Sequence, residues 1–211
     1  MISDIYGGAN TVHVLDFDLD GDIDIVSAGS VQDLVSWWEN DGEENFTHHT
    51  ITGAFNLPHS VFAADINGDG LMDAAAANGS YAANDGTVTV SINQGNMTFD
   101  SFAINNPGTY FCASDVFVKD IDGDGDNDIL SCAYVGSEVT LWENINNQSF
   151  RRHIVTTEME GPWSVHAEDL EGDGDVDLFT TGYDSDAIVW WENDGNQNFT
   201  CLLYTSDAAD E

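Results

Sequence analysis

The chain has 211 residues, of which 42% are hydrophobic and 11% aromatic, enough to bury the core of one or two ordinary domains. Three basic residues (Lys119, Arg151, Arg152) stand against 39 acidic ones, for a formal charge of -36. Such a surface repels nucleic acid and anionic lipid and excludes both as partners. Six Trp residues argue for a packed fold over acidic disorder.

The opening "MISDIYGG" has neither the basic start nor the apolar run of a signal peptide, and no stretch approaches the roughly 18 apolar residues of a membrane span. Membrane insertion by this segment is therefore not expected. Ile2 precedes Val12 by the same interval as Ile51 precedes Val61, so residues 1–10 read as the end of a preceding repeat. The first full copy, about 11–52, begins with a strand in which Val12 and Val14 alternate. The acidic phrase "DFDLDGDID" (16–24) follows, then the apolar run "DIVSA" and a third strand, "LVSWWEN", which ends in Asn-Asp-Gly, a tight-hairpin signal. "NFTHHTIT" closes the copy.

The second copy (58–104) repeats this order around "DINGDGLMD" (65–73), the third (112–156) around "DIDGDGDND" (120–128) and the fourth (162–200) around "DLEGDGDVD" (169–177). Val61 and Ala63, Val116 and Val118, and Val165 and Ala167 take the places of Val12 and Val14. The phrases start 49, 55 and 49 residues apart. From the last Asp of each phrase, 16 residues lead to Asn40, Asn144 and Asn193; in the second copy 20 lead to Asn93, the excess lying in the polar stretch 78–87. Four short strands per copy, at a period near 50 residues and without a helical pattern, predict an all-β fold. Each copy is expected to form one blade of a β-propeller. After "NFT" the fourth copy departs from the repeat: "CLLYTSDAADE" (201–211) resembles a translated transposase-type sequencing adapter. It is set outside the fold, leaving the last blade incomplete.

The acidic phrase reads Asp-x-Asp/Asn/Glu-x-Asp-Gly-x-x-Asp. A hard cation such as calcium takes six to eight oxygens at about 2.3–2.6 Å, and alternating carboxylates on a curled loop can aim several at one point. Gly21, Gly70, Gly125 and Gly174, at position six, permit the sharp turn. Position seven (Asp22, Leu71, Asp126, Asp175) would offer its backbone carbonyl, which accommodates Leu71. The ninth residue would close the shell. The first six positions also match an EF-hand loop, but position twelve holds Ser27, Ala76, Ser131 and Thr180 where that motif needs Glu, and the flanks are strands. Eighteen of the 39 acidic residues lie in the four phrases, and uncompensated clusters of this kind repel themselves.

An acidic loop of this form between the first two strands of a blade, with "WWENDG"-type third strands, resembles the FG-GAP/VCBS repeat family, which includes the calcium-binding blades of integrin α subunits. The likeness covers residues 2–200. It implies side-chain ligands Asp16, Asp18, Asp20 and Asp24 in the first loop and Asp65, Asn67, Asp69 and Asp73 in the second. In the third and fourth it implies Asp120, Asp122, Asp124 and Asp128, and Asp169, Glu171, Asp173 and Asp177. Up to four calcium ions are expected. Propellers of the family usually close with seven blades, so four would be an arc of a larger ring.

No nucleophile elbow, zinc motif or phosphate loop is present. His13 and His166 precede their acidic phrases in register, and His49 and His153 share a place on the fourth strand, a recurrence that belongs to blade packing. Trp38, Trp142 and Trp191 are expected in the core, whereas Trp37, Trp190 or Trp163 could stack on a sugar ring or a partner side chain. Cys112 and Cys132 could bridge neighbouring strands, but two small apolar core residues are the simpler reading. Asn45, Asn78, Asn96, Asn147 and Asn198 carry glycosylation sequons. The favoured function is an extracellular, calcium-stabilised binding or adhesion module for a protein or polysaccharide. The alternative is the propeller part of a secreted polysaccharide lyase or hydrolase.

Overall fold

In the computed structural model, the described residues are 7–52, 56–80, 86–105, 112–146 and 148–202. Among them there are sixteen strands and no helix, hence none long and apolar enough to cross a membrane. The first blade holds β1 (Ala9–Leu15), β2 (Asp24–Gly29), β3 (Leu34–Asn40) and β4 (Phe46–Thr52). The second holds β5 (Pro58–Ala64), β6 (Asp73–Asn78), β7 (Thr87–Asn93) and β8 (Phe99–Ala103). The third holds β9 (Ala113–Lys119), β10 (Asp128–Ala133), β11 (Glu138–Asn144) and β12 (Phe150–Thr156). The fourth holds β13 (Pro162–Glu168), β14 (Asp177–Gly182), β15 (Ala187–Asn193) and β16 (Phe199–Leu202). Each set is an antiparallel meander in sequence order. The chain is thus an all-β arc of four propeller blades.

β16 pairs Cys201 with Trp191 and Leu202 with Trp190, two residues past the boundary read from the repeat. Ladder bonds are made by the backbone, so they extend through any residue that can stay extended. Residues 203–211 lie outside the described residues.

Both faces of an inner blade are covered, because adjacent blades stack face to face. Phe17, Val26, Val35 and Trp37 of the first blade pack on Val61, Ala63, Ala74 and Ala76 of the second. Ala75, Val88, Val90 and Ile92 meet Val116, Val118, Ile129 and Trp142, and Leu130, Val139 and Leu141 meet Val165, Ala167, Leu178 and Trp191. Two expectations change as a result. Trp37 and Trp38 are both buried, at 3% and 8% exposed, so strand alternation does not free one of the pair, and Trp37 has no face to offer a ligand. Val12 and Val14 are 66% and 57% exposed although Val61 and Val116 are buried, since no described blade lies against β1 on that side.

The inner strands carry a succession of rings. His13 stacks on Phe62 at 4.0 Å, Phe62 meets Phe117 at 4.8 Å, and Phe117 meets His166 at 4.4 Å. His13 Nδ1 accepts the Ala63 N–H (3.0 Å), which requires the neutral ring, and burial lowers its pKa. Asp115 ties three blades together: it accepts from Ser60 Oγ (2.6 Å), Ser164 Oγ (2.7 Å) and the Val165 N–H (3.0 Å). Cys112 and Cys132 are buried and not joined in a disulfide, Cys132 lying 3.2 Å from Ser114 Oγ. Asn78 is fully buried, its amide donating to Thr89 Oγ1 (3.1 Å), and so cannot accept a glycan in the fold. Asn147 lies outside the described residues.

Candidate metal centres

The acidic phrases connect the first and second strands of each blade, and the alternating direction of a meander puts them on the same end as the turns between third and fourth strands. Gln197, in such a turn of the fourth blade, donates to Asp122 Oδ2 of the third (3.0 Å).

Each loop is curled by its own carboxylates in a repeated pattern. The first-position Oδ2 of Asp16, Asp65, Asp120 and Asp169 accepts the N–H of the position-six glycine at 3.0, 2.8, 3.1 and 3.0 Å. Third-position Oδ1 atoms of Asp18, Asn67 and Asp122 accept the fifth N–H at 3.2, 3.0 and 3.1 Å. The fifth-position residues Asp20, Asp69, Asp124 and Asp173 accept the N–H of Asp22, Leu71, Asp126 and Asp175 at 2.9, 2.8, 2.9 and 3.0 Å. Gly21, Gly70, Gly125 and Gly174 have φ of 101°, 87°, 98° and 101°, left-handed as the turn demands. Nothing would crowd a Cβ there, so conformation and not space selects glycine.

Position four is left-handed as well. It is Gly68, Gly123 and Gly172 in three blades but Leu19, at φ 65°, in the first. A non-glycine residue there costs about 1–2 kcal/mol. Leu19 is 50% exposed, so Leu19→Gly removes little packing. It is expected to raise the stability of the protein by about 1 kcal/mol in chemical denaturation.

The ninth-position Asp does more than close a shell. Asp24, Asp73, Asp128 and Asp177 are 0%, 0%, 1% and 1% exposed. Their Oδ2 atoms accept the second-position N–H of Phe17, Ile66, Ile121 and Leu170 at 3.0, 2.9, 3.0 and 3.4 Å. Their Oδ1 atoms accept the N–H of Asn40, Asn93, Asn144 and Asn193 at 2.8, 2.8, 2.8 and 2.9 Å. Those asparagines donate back to the eighth-position carbonyls of Ile23, Met72, Asn127 and Val176 at 3.1, 3.2, 3.1 and 3.1 Å. This clasp between loop and third strand explains the fixed Asp-to-Asn spacing. The sequence signal was visible, but it read only as a hairpin turn.

A carboxylate has about four lone-pair sites, so two N–H bonds leave capacity for a cation. In the first loop one oxygen each from Asp16, Asp18 and Asp24 lies within 4.8 Å of the others, and in the third loop the same holds for Asp120, Asp122 and Asp124. Oxygens that share one calcium at about 2.3–2.6 Å are separated by no more than about 5 Å. Asp16 Oδ1 is buried with no hydrogen-bond partner, as an oxygen available to a cation would be. Among the described residues, the second and fourth loops do not bring three carboxylate oxygens so close. Asn67 turns its amide to Asp69 (2.9 Å), and Glu171 shares a hydrogen bond with Glu192. The donor sets fit calcium, most fully in the first and third loops.

Electrostatics point the same way. Burial, then the charge of Asp24, raises Asp18 to about 6. Burial raises Asp73 to about 6 and Asp128 to about 7 against the hydrogen bonds that favour their charged forms, and Asp122 is also raised. Sequence reading missed one contributor: Glu39, Glu143 and Glu192 of the "WEN" phrase each sit beside the third-position acid of their loop and raise its pKa. The second blade has Ile92 there, opposite the neutral Asn67. The recurring Glu was the available signal.

The histidines assemble no catalytic group among the described residues. His48 bonds Ser36 Oγ (2.9 Å) against Trp38, His49 pairs with Glu39 (2.7 Å) over Trp37, and His153 pairs with Glu143. His59 bonds the Gly79 carbonyl (2.8 Å).

Four-stranded meander blades, each with a carboxylate-lined loop between its first and second strands, define a repeat propeller. Residues 16–76 and 120–180, more than half of the chain, match the FG-GAP-like repeat family, and the chain belongs to that family. No curated protein sequence matches it. Among solved structures it is similar to an Agrocybe aegerita lectin described as specifically recognising non-reducing terminal N-acetylglucosamine. The two share 21% identity at a TM-score of 0.61, over 95% of this chain and 53% of the lectin. It is also similar to the V. cholerae biofilm matrix protein Bap1, with 19% identity and a TM-score of 0.55 over 90% of this chain and 27% of that one. A third similar structure is BBS1N, solved in complex with ARL6DN, with 14% identity and a TM-score of 0.60 over 93% and 57%. The chain thus spans about half or less of the solved chains it resembles, and at these identities the likeness is one of fold.

Proposed function

We propose that the chain is part of an extracellular or cell-surface propeller that binds a protein or polysaccharide, with calcium holding its loops. The observation that carries the calcium reading is the partnerless, buried Asp16 Oδ1 beside the converging oxygens of Asp18 and Asp24. Side chains at positions one, three, five and nine and the carbonyls of Asp22, Leu71, Asp126 and Asp175 would hold the ion, which supplies charge neutralisation and loop rigidity. Millimolar calcium outside cells suits loops of this modest, exposed kind. A binding role draws support from the lectin and matrix protein of like fold.

A panel of immobilised neutral polysaccharides and extracellular matrix proteins tests the reading with the chain in 1 mM calcium and in EDTA. Saturable binding to a member of the panel, abolished by EDTA, is expected. Cleavage of a polysaccharide without retention on any surface would favour the enzyme alternative and overturn the module.

A further inference from the structure

At the end of the arc opposite the acidic loops, the repeat is broken by three aromatic residues. The residue following the second strand is Ser30, Gly79, Tyr134 and Tyr183 in successive blades. Two places before the first Val of the repeat on the inner strand (Val12, Val61, Val116, Val165), the series is Asn10, His59, Ser114 and Trp163. Residues that serve blade packing recur by blade; these three occur at these places only on the third and fourth blades, and Trp163 and Tyr183 face solvent. Trp163 is 45% exposed and Tyr183 68%.

The three rings form one cluster. Trp163 meets Tyr134 edge-on, with centroids 5.7 Å apart and planes at 89°, and meets Tyr183 at 5.8 Å. Tyr134 and Tyr183 are 6.3 Å apart. Tyr134 Oη donates to Asp184 Oδ1 (3.1 Å), which fixes the ring. Trp163 stands as the wall between two open cavities of about 450 and 490 Å³. The first is lined by small polar groups, including Asn10, Ser30, Ser114 and Asp115; the second by Thr181, Tyr183 and Asp186. Each is large enough for one or two pyranose rings.

We propose that Trp163 and Tyr183 form a glycan subsite that takes a neutral pyranose residue of a polysaccharide chain. This rests on the reading of the protein as an extracellular binding module and specifies its ligand class. An exposed indole and phenol at an angle offer flat apolar surface to the axial C–H face of a sugar, while carboxylates and hydroxyls around them accept and donate to its equatorial hydroxyls. Charge decides which sugar. The chain's three cationic side chains are all committed elsewhere, Lys119 to Glu168, Arg151 to Glu143 and Arg152 to Glu138. With Asp115 and Asp186 lining the cavities, Asp184 held beside Tyr134 and a net charge of -36, a uronate or sulfated chain is repelled.

Isothermal titration and saturation-transfer NMR on the whole chain in 1 mM calcium test the subsite. The probes are cellohexaose, chitohexaose and mannohexaose, with oligogalacturonate as the anionic control. At least one neutral hexamer is expected to bind, with saturation transferred most strongly to its ring C–H protons, and oligogalacturonate is expected not to bind. Trp163→Ala and Tyr183→Ala should each weaken binding about tenfold. Trp163→Phe, which keeps an aromatic face, should stay within about threefold, and Val14→Ala on the far blade should change nothing. Unchanged melting temperatures would show that the alanine variants are folded. A neutral hexamer that binds Trp163→Ala as well as the parent overturns the subsite and leaves the module reading intact. Failure of all three neutral hexamers to bind overturns the subsite too, whereas retention on a matrix protein in the panel above would still support the module. Absence of binding to every surface would remove the module itself.

Discussion

Excess EDTA at pH 7.5 is expected to lower the melting temperature by roughly 10–20 °C relative to 1 mM calcium. A loop that binds with a dissociation constant of ~0.1 mM gains about 1.4 kcal/mol at ~1 mM calcium, and four loops gain about 5–6 kcal/mol. For a chain of this length, 1 kcal/mol moves the midpoint by about 2–4 °C. The pH dependence supplies a second signature. Asp73 and Asp128 are raised from 3.8 to about 6 and about 7 by burial. In the metal-free protein their contribution to stability is complete below about pH 4 and is lost as pH rises through 6 to 7. The EDTA-treated protein should therefore melt higher at pH 5 than at pH 8. The calcium increment should be largest at pH 8 and shrink below pH 6, where protons compete for the same oxygens. Equal melting temperatures with and without calcium at pH 8 would eliminate the calcium reading.

Replacing Asp128 is expected to destabilise the protein by about 3–5 kcal/mol, and the loss should persist in EDTA. Both oxygens of this 1%-exposed carboxylate are engaged, with the Ile121 N–H at 3.0 Å and the Asn144 N–H at 2.8 Å. Asp128→Ala leaves two buried donors unpaired, each at about 1–3 kcal/mol, and opens a small cavity. Asp128→Asn is no rescue, because an amide nitrogen would face one of the backbone N–H groups. By contrast, Asp126→Ala, at the half-buried seventh position of the same loop, should change stability by less than about 1 kcal/mol, since that place offers a backbone carbonyl. Urea titrations of the three variants in EDTA separate the clasp from the metal. If Asp128→Asn matches the parent there, the carboxylate is only a ligand and the clasp has no structural weight.

Much of the architecture was legible because a propeller writes itself in the chain repeatedly. Alternating Val61 and Ala63, the glycine at position six and the recurring Asn after "WE" each report a local requirement: a pleat, a left-handed turn, a hairpin. Four copies turn weak signals into a strong one. What pairwise spacing could not carry was which groups meet. Asn40 and Asp24 read as a turn and a ligand, and only the fold shows them as two halves of one clasp. The role of Glu39, Glu143 and Glu192 beside the third-position acids was likewise hidden, because each Glu lies 21 residues along the chain from the acid it faces.

Trp37 marks the boundary most clearly. Period-two alternation correctly assigns Trp37 and Trp38 to opposite faces of β3, but alternation alone says nothing about what lies against either face. Stacking of blades covers the Trp37 face completely, whereas Trp163, at the open end of the fourth blade, keeps 45% of its surface. The sequence by itself determined the repeat, the strands and the acidic loops, because these depend on residues close along the chain. Burial, the Asp–Asn clasp and the cluster of Tyr134, Trp163 and Tyr183 were decided by tertiary structure, because each arises where separate strands or separate blades come into contact.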